Sequence, residues 1–176
     1  RDAVSTPTLY ALTTAKVASN LSLGKGIRKG LAMADDGTLI GATERGLVAI
    51  RPTGTVQWTW TAPRAGEVVW SAPSIGPDGS LYVVTSLTNQ GQTMVAIDKS
   101  GRTQWSVRLK DSYSGGPTIG VDGTIYVSGR DVLFAFAPNG SERWRLQVAE
   151  EIYNFAPTIG ADGRLYVATR KGKLIA

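Results

Sequence analysis

The sequence contains no cysteine, which excludes disulfides, thiolate metal sites and cysteine nucleophiles. It contains no histidine, so the commonest general base and the commonest metal ligand are also missing. No apolar run approaches the length of a membrane span, and no signal-peptide pattern is visible. The first residue, Arg1, reads as a processed end or a boundary. Convincing helical periodicity is absent as well; the nearest candidate, "LYALTTAKVASNLSL", is rich in Thr and Ser and lacks a polar face. The net charge of +5 is spread thinly, with small clusters at Lys25, Arg28, Lys29 and at Arg170, Lys171, Lys173. A nucleic-acid groove needs a denser basic stripe with interleaved aromatics, so these charges read as a solvated surface.

What is present points to a repeat. The 176 residues suit one domain or part of a larger one, and a 42% hydrophobic fraction can fill a core. The 21 glycines and eight prolines, spread along the chain, imply many tight turns. Three near-copies of one phrase occur: "PSIGPDGSLYV" at 73–83, "PTIGVDGTIYV" at 117–127 and "PTIGADGRLYV" at 157–167. A weaker copy, "LAMADDGTLIG", occupies 31–41. The Asp-Gly pairs therefore recur every 40 to 44 residues. A second signature follows each pair: Ala49…Gly54…Trp58, Ala96…Gly101…Trp105 and Ala135…Gly140…Trp144.

Each unit reads as four short strands, because apolar and β-branched residues alternate with small or polar ones between Gly-containing turns. Gly37, Gly79, Gly123 and Gly163 supply the positive φ of a tight turn, and the preceding aspartates cap their own hairpins. Four antiparallel strands repeated at this period describe an all-β fold, a β-propeller of about four four-stranded blades. One such sheet cannot bury both faces alone, so Trp58, Trp105 and Trp144 are expected to pack between blades. The division is residues 1–26 as N-terminal strands completing a blade, then repeats at about 27–66, 67–110, 111–149 and 150–176. The last repeat lacks a fourth strand. Either the N-terminal strands supply it and close a four-blade ring, or the chain is half or a fragment of a larger ring; the second is preferred. Two such chains could also pair.

The linked motifs "P-x-I-G-x-D-G-x-[LI]-Y-V" and Ala…Gly-x-x-x-Trp resemble the PQQ-like (quinoprotein-type) β-propeller repeat over roughly residues 27–176. That resemblance implies a propeller commonly of seven or eight blades and a bacterial, extracytoplasmic setting. The family includes calcium- and PQQ-dependent dehydrogenases and non-catalytic members such as the outer-membrane assembly lipoprotein. The enzymes' longer tryptophan-docking motif is not matched by "AIDKSGRTQW" at 96–105, and their Cys pair or histidine base has no counterpart here. The resemblance therefore implies the non-catalytic branch, with PQQ and Ca2+ as the enzymatic alternative. Only Asp35-Asp36 offers even two clustered oxygen ligands for calcium. A looser resemblance to propeller lectins rests on the "DG-x-LY" strands.

Alternating strand direction puts the blade links and the second-to-third-strand loops on one face. Those segments vary most between repeats, with a five-residue longer loop, "SLTNQGQ", in the second repeat. Binding residues concentrate on loops held by a rigid scaffold. The candidate binding residues are Trp70, Tyr113 and Tyr153 at the channel mouth, with Arg64, Glu67, Asp111, Glu150, Glu151, Asn154, Asn89 and Gln90 nearby. Glu150 and Glu151 are adjacent on the chain and so point to opposite faces, which argues against a shared acid–base site. The expected function is a non-catalytic scaffold holding a protein or peptide partner; a carbohydrate ligand or a PQQ-dehydrogenase fragment are the alternatives.

Overall fold

The computed structural model describes residues 8–13, 16–22, 26–109, 115–152 and 155–176. Among these residues every regular element is a strand. An N-terminal hairpin pairs β1 (Thr8–Thr13) with β2 (Lys16–Ser22). The first blade runs β3 (Ile27–Met33), β4 (Leu39–Thr43), β5 (Gly46–Ile50) and β6 (Val56–Thr61) in sheet order. In the second blade, β9 (Leu81–Leu87), β10 (Gly91–Ile97) and β11 (Thr103–Leu109) follow two short strands, β7 (Val68–Val69) and β8 (Ser74–Ile75). The third blade is β12 (Thr118–Ile119), β13 (Ile125–Ser128), β14 (Val132–Phe136) and β15 (Glu142–Gln147). The fourth comprises β16 (Thr158–Ile159), β17 (Leu165–Ala168) and β18 (Leu174–Ile175). This is the all-β, blade-by-blade architecture that the repeat predicts. The sheets do not close into a barrel, and among the described residues no ladder joins the β1–β2 hairpin to β18.

Proline explains the length of the first strands. Pro73, Pro117 and Pro157 stand immediately before β8, β12 and β16, and each of those strands pairs through only two residues. Proline has no N–H to give to a ladder, so pairing starts after it. The first repeat has Leu31 at that position, and β3 extends over seven residues. Its register shifts between Ile27 and Leu31, which makes a bulge containing Arg28, Lys29 and Gly30. Gly30 takes φ +121°, and a Cβ there would meet Ala72 Cβ at 3.0 Å, so the bulge lies close against the following link.

Burial shows why neither face of a blade can be polar. All five residues of β5 and of β14 are buried. In the third blade, Ile125, Val127, Phe134 and Phe136 pack toward the second blade with Tyr82, Val84 and Met94. Leu133 faces the other way, into a cluster with Ile152 and Val167 of the fourth blade. Successive side chains on a strand thus serve two different interfaces.

The tryptophans lock neighbouring blades together by a repeated contact. Trp58 of the first blade lies on Gly101 of the second, where a Cβ would come within 2.8 Å of the indole. Its Nε1–H donates to the Lys99 carbonyl at 2.9 Å. Trp105 repeats the arrangement on Gly140 of the third blade and donates to the Pro138 carbonyl at 2.8 Å. Gly101 and Gly140 are thus constrained twice, by φ of +85° and by the ring above them. Trp144 is different. It keeps the tilted contact with a tyrosine of its own blade, Tyr126 at 5.9 Å as Trp105 keeps Tyr82, but remains 40% exposed. The same register would put its receiving glycine past Ala176.

The Asp-Gly turns close as their sequence suggests. Asp78 Oδ1 accepts from the Ser80 N–H at 3.0 Å, and Asp122 Oδ1 from the Thr124 N–H at 3.0 Å. Asp36 and Asp162 accept from Thr38 and Arg164 in the same way. The glycines at 37, 79, 123 and 163 all have φ near +80°. "SLTNQGQ" departs from expectation. Instead of an open loop, it lengthens the β9–β10 hairpin, with Leu87 paired to Gly91 and Ser86 to Gln92. Asn89 (φ +60°) and Gly91 (φ +77°) take the left-handed conformations that close the turn early, so the added residues join the ladder.

Candidate functional site

The link between the first and second blades carries a buried carboxylate. Glu67 is 1% exposed. Its Oε1 accepts from Thr85 Oγ1 at 2.5 Å and from the Arg64 guanidinium at 3.0 Å. Its Oε2 accepts from Arg64 Nε and the Arg64 backbone N–H, both at 3.2 Å. Arg64 also donates to Thr93 Oγ1 at 3.0 Å. Burial pushes the Glu67 carboxyl up, but the hydrogen bonds from Arg64 and Thr85 outweigh it and hold the group below the ordinary carboxylate range. Glu67 is therefore an ionised strut fastening the link to β9 and β10.

The third-to-fourth link repeats the device at its surface. Val69 pairs with Thr85, and Ile152 bridges to Thr169. Two residues before each lies a glutamate, Glu67 or Glu150. Glu150 accepts from Thr169 Oγ1 at 3.2 Å and from Lys173 Nζ at 2.5 Å. Glu151 turns elsewhere, pairing with Arg130 and with Arg170, the latter at 3.0 Å. Hydrogen bonds from Lys173 and from Arg130, respectively, are the main reason both carboxyls sit below their ordinary range. The two glutamates thus share no partner.

Beside the first link a cleft of about 540 Å3 opens, lined by Arg28, Lys29, Glu44, Val68, Val69 and Trp70. Arg28 and Lys29 come from the β3 bulge, Glu44 from the turn between β4 and β5, and the rest from the link. The Val69 N–H donates to the Glu44 carbonyl and the Trp70 N–H to the Val84 carbonyl, both at 2.8 Å, so backbone bonds fix the wall. Val69 is buried, while Trp70 is 36% exposed. Lys29 Nζ stands 5.2 Å from the centroid of the Trp70 ring, a cation–π distance. Among the described residues no ion pair within 4.0 Å involves Arg28, Lys29 or Glu44.

Comparison with known proteins fits this architecture. The family model for "Outer membrane protein assembly factor BamB" matches residues 7–108 and 90–176. The chain belongs to that PQQ-like repeat family. No curated protein sequence matches it. A solved streptogramin B lyase aligns with a TM-score of 0.69 at 17% identity, over 88% of this chain and 55% of that one. A catalytically inactive virginiamycin B lyase variant from Staphylococcus aureus, with quinupristin, gives 0.67 at 20%, over 84% and 54%. A protein of unknown function from Bacteroides caccae gives 0.61 at 16%, over 92% and 64%. This chain therefore spans between 54% and 64% of the length of those structures, and at such identities the likeness concerns the fold.

Within this PQQ-like repeat the candidate residues separate by role. Trp70 lines the cleft. Arg64 and Glu67 hold each other beside it. Glu151 lies in an exposed ion-pair cluster on the third-to-fourth link. Asn89 and Gln90 are exposed at the tip of the β9–β10 hairpin, where the Gln90 carbonyl accepts from Arg108. Asp111, Tyr113, Tyr153 and Asn154 lie outside the described residues. Arg28, Lys29 and Glu44 were not singled out as site residues from sequence. The usable signal was Gly30, an isolated glycine inside a strand pattern beside a small basic cluster, which marks a bulge.

Proposed function

We propose that this chain is part of a non-catalytic β-propeller scaffold that holds a protein or peptide partner on the face carrying the links and the second-to-third-strand turns. The carrying observation is the division of labour on that face. Three of its carboxylates, Glu67, Glu150 and Glu151, are each tied to arginine, lysine or threonine partners and held ionised, which suits struts and not proton transfer, while Glu44 at the cleft makes no ion pair among the described residues. Beside Glu67, the cleft lined by Val68, Val69 and Trp70 carries the charged groups of Arg28, Lys29 and Glu44. The family's outer-membrane assembly member supports placing the scaffold outside the cytoplasm.

The test is affinity capture from envelope extract with a photo-crosslinker placed beside the cleft. A partner retained by the wild-type protein should be lost with Trp70→Ala and kept with Lys99→Ala, in a turn of the opposite face. Capture that follows Lys99 and ignores Trp70 overturns the choice of face. A dye-linked activity appearing on addition of PQQ and calcium overturns the non-catalytic reading.

A further inference from the structure

Resting on that choice of face, we infer that the cleft between the first and second blades takes an acidic peptide segment: one carboxylate on Arg28 and Lys29, and a neighbouring apolar side chain on Trp70 and Val68. Three observations converge. The β3 bulge sits at the one first strand that lacks the leading proline of the other three, and it contains both cations. Among the described residues neither cation has a carboxylate within 4.0 Å. Apart from Glu44 the rest of the lining is apolar, and Lys29 is held over Trp70 by a contact that uses no anion.

The chemistry selects a peptide over a simple anion. Inorganic phosphate would engage the cations and leave Val68 and Trp70 uncovered. A polyanionic backbone would press further charges against Glu44, at a like-charge cost. A single carboxylate flanked by an apolar residue matches the cations and the wall, while Glu44 can accept from a peptide N–H. Lysine and arginine set apart from any internal carboxylate are also the groups that steer an acidic partner toward its site.

The experiment titrates the protein into fluorescein-labelled, C-terminally amidated Asp-Phe-Asp-Leu-Asp and reads anisotropy. The comparison probe is Asn-Phe-Asn-Leu-Asn, and inorganic phosphate serves as competitor. The acidic peptide should bind at least about tenfold more tightly than the neutral one, and the preference should shrink as added salt shortens the screening length to about 3–5 Å. Arg28→Glu with Lys29→Glu should weaken the acidic peptide at least about tenfold with the melting temperature unchanged. Should that double variant melt early, Arg28→Gln with Lys29→Gln serves instead, with a smaller loss in the same direction. Equal binding of the two peptides, unchanged affinity in the charge variants, or displacement by phosphate alone at concentrations that leave the apolar wall empty would overturn the assignment. A partner captured through Trp70 but held equally by the charge-reversed protein would sink this inference and leave the choice of face standing.

Discussion

Trp105 and Trp144 occupy the same position in successive repeats, yet one joins two blades and the other covers only its own. Trp105 has a glycine turn beneath its ring, a carbonyl for its N–H, and a cluster that includes Met94, Ile125 and Phe136 at its side. Trp144 keeps only the own-blade tyrosine contact that both rings make among the described residues, and the cluster between the third and fourth blades is small: Leu133, Ile152 and Val167 buried, with Val148, Leu165 and Ile175 partly so. Docking needs a receiving turn, and for Trp144 the repeat register puts that turn past residue 176. The value of a docking tryptophan resides in the turn it meets, because one blade's face is hydrophobic surface until the next blade covers it.

Truncation sharpens this contrast most. Trp105→Ala should destabilise the protein by roughly 3 kcal/mol, from lost area and the cavity left over Gly140. Trp144→Ala should cost less than about 1 kcal/mol, since the ring is already half in water. Denaturant midpoints measure both, and equal losses would mean that Trp144 is covered by something else in solution.

Glycine substitutions separate backbone strain from packing. Gly140→Ala combines a left-handed φ with a methyl pressed into the indole, and should cost about 2 kcal/mol. Gly163→Ala has a similar φ, +78°, but nothing within 4 Å, so strain alone should cost about 1 kcal/mol. Thermal unfolding of the pair reads the difference as the packing contribution of the docked ring.

The two link glutamates offer a fully buried and a half-buried version of one strut. Glu67→Gln should cost about 2 kcal/mol, below the usual figure for a broken buried pair because the Arg64 side chain, 39% exposed, can turn to water. Glu150→Gln should shift the midpoint by visibly less, since Lys173 is mostly solvated. Equal shifts would show that burial of Glu67 does not matter to its role.

The smallest expected effect is a pH dependence. The Thr124 hydroxyl and N–H, with help from Arg143, lower the Asp122 carboxyl from 3.8 to about 2. A folded-state value below the unfolded one gives stability that is complete above 3.8 and fades as pH falls toward the lower value. Acid titration of wild type against Asp122→Asn should show a shallower decline for the variant across that window. Parallel curves would remove the carboxylate from the account.

Much of the molecule could be read from its letters. The Asp-Gly period placed the hairpins, and the apolar and β-branched residues of segments such as "LYVVTS" placed the strands, because strand preference and turn chemistry act over a few residues. The longer second hairpin was misread as a loop because polar residues such as Ser86 and Gln92 fit a ladder as well as open water, and only pairing distinguishes the two. The cleft was half legible. Trp70 stood out as an aromatic at a link, but Arg28 and Lys29 looked like scattered surface charge until the β3 bulge set them beside it.

By itself, then, the sequence determined the blades: their number of residues, their turns, and which positions carry a tryptophan able to dock. Tertiary structure alone decided which glutamate is buried and which basic residues share a cleft with an indole. The division follows from range. Turn preference and strand alternation are settled by neighbours in the chain, whereas burial and charge environment depend on surfaces contributed by residues some forty positions away.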